Sequence, residues 1–219
     1  MPAPRVSATS AGAFTPPPGS NMYSQQQRMI MEAFRAEEYI KDRMDVQSEP
    51  LYDTNTSTTT DAAGGVIQEG QPSSQFFTNI VGKPLNLTNM KKANELMNPE
   101  AQAVMAYRYY LDPRNSVLDS ENVMASFALR FTMGSKPYQT VPLWMIPQGG
   151  GLFTSGCCGD ACVVTNGEPK KDAIRTLGVT LILEQGVWFE GALIGGPYTV
   201  TSNFIHQLNL DGLHARGIQ

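Results

Sequence analysis

Residues 122–133 read NVMASFALRFTM, and in them Val123, Ala125, Phe127, Leu129, Phe131 and Met133 alternate with Met124, Ser126, Ala128, Arg130 and Thr132. Strict period-two alternation sends the two sets of side chains to opposite faces of an extended backbone, so the stretch predicts a half-buried β-strand. Further apolar runs at 141–146, 161–164, 176–183, 187–193, 198–201 and 204–210 have strand length. Turn chemistry separates them: Gly149-Gly150-Gly151, Asn166-Gly167, Gln185-Gly186 and Gly195-Gly196-Pro197. The expected fold is mainly β, an antiparallel β-sandwich of jelly-roll or immunoglobulin-like topology, with an N-terminal extended arm and one or two amphipathic helices. No internal repeat of solenoid or propeller length is present.

Composition agrees with a turn-rich β-domain. The 219 residues include 20 Gly and 15 Pro, and only 16% are charged, against about 25% in an average soluble domain. Much of the surface is therefore uncharged polar side chains. The net charge is −4, and no basic block is longer than Lys91-Lys92 or Lys170-Lys171. Nucleic-acid binding requires a basic stripe that displaces counterions, so direct binding is not expected. The chain opens without a secretory signal pattern, and runs such as 179–183 fall far short of the ~20 apolar residues of a membrane helix. A soluble protein made in the cytoplasm, with no membrane span, is expected.

Upstream of the β pattern the composition changes twice. Residues 1–19 consist almost entirely of Pro, Gly, Ser, Thr and Ala, with Val6 and Phe14 as the sizeable apolar side chains. Such a peptide buries too little apolar surface to offset its own ordering entropy, so it requires a gripping surface outside itself. Residues 20–45 lack Gly and Pro, and Met22, Met29, Ile30, Phe34 and Ile40 form a stripe at helical spacing. That stripe, with Val6 and Phe14, is the expected partner-binding set, although packing on the chain's own domain is the simpler use of a Met-rich face. Residues 46–75 read as linker. Residues 76–219 read as the β-domain, with a second helix near 99–110 signalled by Asn98 as cap and Pro99 at the first helical position.

The search for chemistry yields no catalytic, cofactor or metal site. All three cysteines, Cys157, Cys158 and Cys162, lie in one short stretch. They supply half of a zinc site, and reduced thiols, one disulfide, or a metal or reactive site remain open, with inert thiols favoured. The two histidines are His206, on a strand face with Phe204 and Leu208, and His214, in a polar tail where a solvated side chain is expected. Neither nucleophile-elbow nor phosphate-loop patterns occur. Glu184 and Glu190 flank an expected hairpin turn at Gln185-Gly186, where acids face solvent. Trp144, Trp188, Tyr138 and Tyr198 could line a sugar surface, but core or interface anchoring is the plainer role for the tryptophans.

These observations together lead to an expectation: a non-enzymatic structural component of a large assembly, foremost a virus or phage particle, as capsid, minor capsid, penton or cementing protein. Its partners would be copies of itself or other structural proteins, and its location the virion after synthesis in host cytoplasm. A monomeric β-sandwich module that binds carbohydrate or protein is the first alternative. A cysteine-centred metal protein or enzyme is the second.

Overall fold

A computed structural model describes residues 44–58, 75–146, 153–155, 163–165, 175–196 and 198–217. The expected arm, nearly all of the expected 20–45 helix with its stripe, and the three cysteines lie outside the described residues. The chain divides into two units, Met1–Lys41 and Asp42–Gln219, and every described element belongs to the second.

That unit is mainly β, and all of its described sheets are antiparallel. The first sheet is organised by β11 (Phe204–Gly217), the longest strand at 14 residues. One side of β11 pairs end to end with β2 (Leu51–Ser57), through residues 204–210, and with β1 (Met44–Ser48), through residues 213–217. Its other side pairs with β4 (Ala101–Leu111), which in turn pairs with β9 (Arg175–Leu183). The second sheet runs β3 (Gln75–Phe76), β10 (Phe189–Ile194), β5 (Ala128–Met133), β6 (Lys136–Pro142). A ribbon of β7 (Phe153–Ser155) and β8 (Val163–Thr165) stands apart from both. Among the described residues one α-helix occurs, α1 (Val117–Ser126), besides a 3-10 turn at Leu143–Met145.

Alternation builds the core. Phe204, Leu208 and Leu210 of β11 and Tyr107, Tyr109 and Leu111 of β4 are buried, as are Leu129 and Phe131 of β5. Rings from the two sheets meet: Tyr107 lies 5.5 Å from Phe131, and Tyr109 lies 6.2 Å edge-on from Phe76. Each such buried side chain stabilises the fold by roughly 1.5–3 kcal/mol relative to exposure. Gly191 on β10 lets the sheets approach, because a Cβ there would stand 2.4 Å from Leu208 Cδ2.

Several expectations are corrected. The first half of the 122–133 alternation is the end of α1, and only Ala128–Met133 is strand. Ser116 caps the helix, its Oγ accepting the Asp119 N–H at 3.5 Å, and the buried positions Asp119, Ser120, Val123 and Met124 follow helical spacing. The region read as a helix near 99–110 is strand β4. Its Ala, Gln, Met and Arg are good helix formers, but local propensity is a weak preference, and a ladder partner on each side, β11 and β9, satisfies its backbone in the extended form. The stretch read as linker begins with β1 and β2. Residues 198–201 are not strand, and β11 continues past the expected end at 210 to Gly217. Gln185-Gly186 is no hairpin turn, since β9 and β10 belong to different sheets.

Candidate functional site

Three polar constellations interrupt the apolar interior, and each is placed by a particular strand or helix. The first centres on His206, whose inward position on β11 sets it between Phe76 and Phe204. Its Nε2 lies 2.8 Å from Ser57 Oγ and its Nδ1 lies 2.7 Å from Tyr109 Oη. Hydroxyl, imidazole and phenol in a row are the ingredients of nucleophile activation. All three side chains are fully buried, however, and burial, with Lys83 nearby, drives the His206 imidazole down to about 3. The ring is therefore neutral at physiological pH. It ties β2, β11 and β4 together as a hydrogen-bonded core histidine, the role its strand face suggested.

In the second constellation, Asp53 of β2 accepts the Phe77 N–H at 2.7 Å and Lys83 Nζ at 2.8 Å. Lys83 also donates to Asn55 Oδ1 at 2.9 Å, and Asn55 Nδ2 donates to the Gln75 carbonyl at 2.8 Å. Burial raises the Asp53 carboxyl, while Lys83 and the Phe77 N–H pull against it. Phe77 has a left-handed backbone, φ 69°, and its hydrogen bond to Asp53 holds that conformation. The third constellation is on α1. Asp119 accepts from Tyr198 Oη at 2.7 Å, from the Thr201 N–H at 3.0 Å, and from the Thr201 and Ser202 hydroxyls. Burial works against its charge, but these donors outweigh it and hold the carboxyl below its usual value. This explains why 198–201 is ordered without being strand.

One polar side chain opens onto a cavity. His214 was expected in a solvated tail, yet it sits inside β11 and is 9% exposed. Gln102 on β4 donates its Nε2 to the Glu49 carbonyl at 3.0 Å, which turns its Oε1 toward His214. That oxygen only accepts, so His214 Nδ1, at 3.0 Å, is the donor and Nε2 carries the lone pair. No described residue donates to Nε2. Burial pushes the imidazole down, Glu100 and Glu49 pull it up, and Lys91 and Arg216 push it down again. The ring lines a cleft of about 140 Å³ beside Glu49, Leu85, Lys91, Glu95, Glu100 and Arg216. The opposite wall is the loop 85–100. Asn94 anchors that loop, its N–H bonding Phe77 O and its carbonyl accepting the Phe189 N–H, both at 2.8 Å. Ion pairs join Lys91 to Glu100 and Lys92 to Glu95. The Nε2 had no sequence signal, because tautomer and burial both depend on β4 and the segment after β1.

The aromatic residues do not converge. Trp144 (61% exposed) follows β6 at the end where Ala128 pairs with Pro142, and Trp188 (38% exposed) precedes β10 at the end where Phe189 pairs with Met133. Those ends are separated by the length of β5, about 17 Å at ~3.3 Å per residue. Tyr198 is engaged by Asp119, and Tyr138 is exposed on β6. Glu190 is on β10 near Arg130, with burial raising its carboxyl, and Glu184 lies beyond β9, so the two acids do not flank a hairpin. Among the described residues no three His, Cys, Asp or Glu side chains are grouped to hold a metal ion. Among them also, no helix is long and apolar enough to cross a membrane. Comparison with family models, with curated proteins and with solved structures finds no match.

Proposed function

We propose that the chain is a non-enzymatic structural component of a large protein assembly, of the kind from which a virus or phage particle is built. The strand order supports the fold this reading requires. Setting aside β1 and the β7–β8 ribbon, eight strands remain, in the orders β2-β11-β4-β9 and β3-β10-β5-β6. In sequence rank the pairs are first with eighth, second with seventh, third with sixth and fourth with fifth. That is one long hairpin, turned at β5–β6 and rolled so that alternate pairs fall in opposite sheets. It supports a two-sheet sandwich of the jelly-roll type over an immunoglobulin-like one, and jelly rolls are used by capsid subunits, lectins and cupins alike.

Fold alone does not fix function, so the choice among these uses rests on two further features. The chain is poor in charge, and its first 41 residues form a unit separate from the domain. An arm with few apolar anchors followed by an amphipathic stripe suits contact with neighbouring subunits, through Val6, Phe14, Met22, Met29, Ile30, Phe34 and Ile40. The sugar-binding reading is weakened by the separation of Trp144 from Trp188. As an assembly subunit the protein would act in the virion after synthesis in host cytoplasm, with copies of itself or other shell proteins as partners.

Sedimentation velocity tests this directly. The full chain should run as a closed oligomer or particle, and removal of residues 1–41, which stops short of β1, should return it to a monomer. A full chain that sediments as a 23.9 kDa monomer across the micromolar range would overturn the reading.

A further inference from the structure

We propose that residues 78–89 form an autoinhibitory strap, latched by Lys83, that closes the outer edge of β2 against pairing with the β2 of a second copy. The second copy rests on the assembly reading, whereas the strap does not. Two buried residues, Phe77 and Met90, bound the segment. Between them Ile80 packs against the core, but Val81 is 90% and Leu85 74% exposed. Polar contacts therefore do most of the holding. The Thr54 N–H donates to the Leu87 carbonyl at 2.8 Å, and the Asn89 N–H donates to the Tyr52 carbonyl at 3.4 Å. The Thr88 hydroxyl donates to that same carbonyl at 3.0 Å, and Asn89 Oδ1 accepts the Tyr52 N–H at 2.9 Å. The strap thus occupies the backbone groups with which a further strand would pair.

Lys83 is the sole charged side chain in residues 78–89. From the middle of the segment it reaches across the β2 edge to Asp53 Oδ1 at 2.8 Å and Asn55 Oδ1 at 2.9 Å. Asp53 is fully buried and the Lys83 side chain is 15% exposed, so salt screens the pair weakly. Without Lys83 the buried carboxylate loses its counter-charge and draws in water. Water at Asp53 separates the strap from the strand beneath it. Unlatching bares the same edge on every copy, and a row of N–H and C=O groups in the plane of a sheet accepts extended backbone. Two β2 edges that meet antiparallel about a two-fold axis satisfy one another, and Tyr52, Thr54 and Thr56, which share one face, supply the cross-strand pairs.

Amide hydrogen exchange in the full-length chain tests the strap. Successive N–H groups of an antiparallel strand point to opposite sides, so Thr54 reports the strap and Asn55 reports the ladder with β11. The Thr54 amide should exchange about tenfold faster or more than the Asn55 amide, and Lys83→Met should speed Thr54 about tenfold again while leaving Asn55 unchanged. A Thr54 amide as slow as that of Asn55 overturns the strap, because the segment then leaves β2 only when the domain unfolds. Should Lys83→Met fold poorly, the double change Asp53→Asn with Lys83→Met removes both charges and carries the same expectation. A photo-crosslinking phenylalanine at the exposed Thr56 reads the second copy. In a mixture of isotopically light and heavy chains, inter-copy links to residues 51–57 should appear in the unlatched variant and be at least about tenfold weaker without it. Fast Thr54 exchange without those links overturns the second copy as the partner that the strap excludes. An oligomeric chain with a slow Thr54 amide overturns the strap and leaves the assembly reading standing; a monomeric chain whose unlatched variant forms the links supports the strap and overturns the assembly reading.

Discussion

Individual side chains determine how this protein responds to acid. His206 is neutral in the folded state down to about 3 because burial excludes the charged ring, whereas in the unfolded chain it protonates near 6.5. Above pH 6.5 neither state binds the proton and stability is flat. Below it the unfolded state alone gains a proton, so stability should fall by up to ~1.4 kcal/mol per pH unit until about pH 3. His214, also lowered, adds to the upper part of that window. Urea midpoints at pH 7, 5.5 and 4 should decline, and His206→Gln should show a shallower decline; equal midpoints would contradict the burial argument. Tyr107 offers the opposite case. Its hydroxyl is buried without a partner, so Tyr107→Phe removes an unmet polar group and should leave stability unchanged or raise it by up to about 1 kcal/mol in urea titration.

At the scale of elements, the interplay of local preference and tertiary pairing explains what the sequence disclosed. β5, β9, β10 and the first half of β11 were legible because their apolar residues alternate or cluster against turn signals. β4 hides behind a helix signal, Asn98 as cap and Pro99 at the first helical position, although Tyr107, Tyr109 and Leu111 alternate inward with Arg108 and Tyr110 outward. For α1 the decisive signal was Ser116-Val117-Leu118-Asp119, a capping pattern just upstream of the alternation. The β4–β11 ladder also contains a bulge at Asp211/Gly212. A Cβ on Gly212 would lie 1.7 Å from the Ala103 carbonyl oxygen, and backbone cannot yield as a flexible side chain can. Gly212→Ala should therefore destabilise by about 3 kcal/mol or more, read as a drop in thermal midpoint. Gly134→Ala is the matched comparison, with open space at its Cβ and only a positive φ of 59° to strain it. It should cost less.

At the scale of the domain, the edges at β2 and β6 are guarded among the described residues. β2 is covered by the segment 87–89, with Thr54 N–H bonding Leu87 O at 2.8 Å. β6 carries Pro137 and Pro142, which donate no ladder hydrogen bond. Such edges resist strand addition. Replacing Pro137 and Pro142 with Thr should increase thioflavin-positive aggregation of an otherwise folded chain; unchanged aggregation would show that the prolines do not guard this edge. From the sequence alone came the β class, the low charge content and the inward place of His206, since each depends on local composition or period. Strand order, the strand state of β4 and the burial of His214 came only with the tertiary structure. Those are decided by which distant backbone and side-chain groups satisfy one another, and pairings between residues a hundred positions apart leave no periodic trace in the chain.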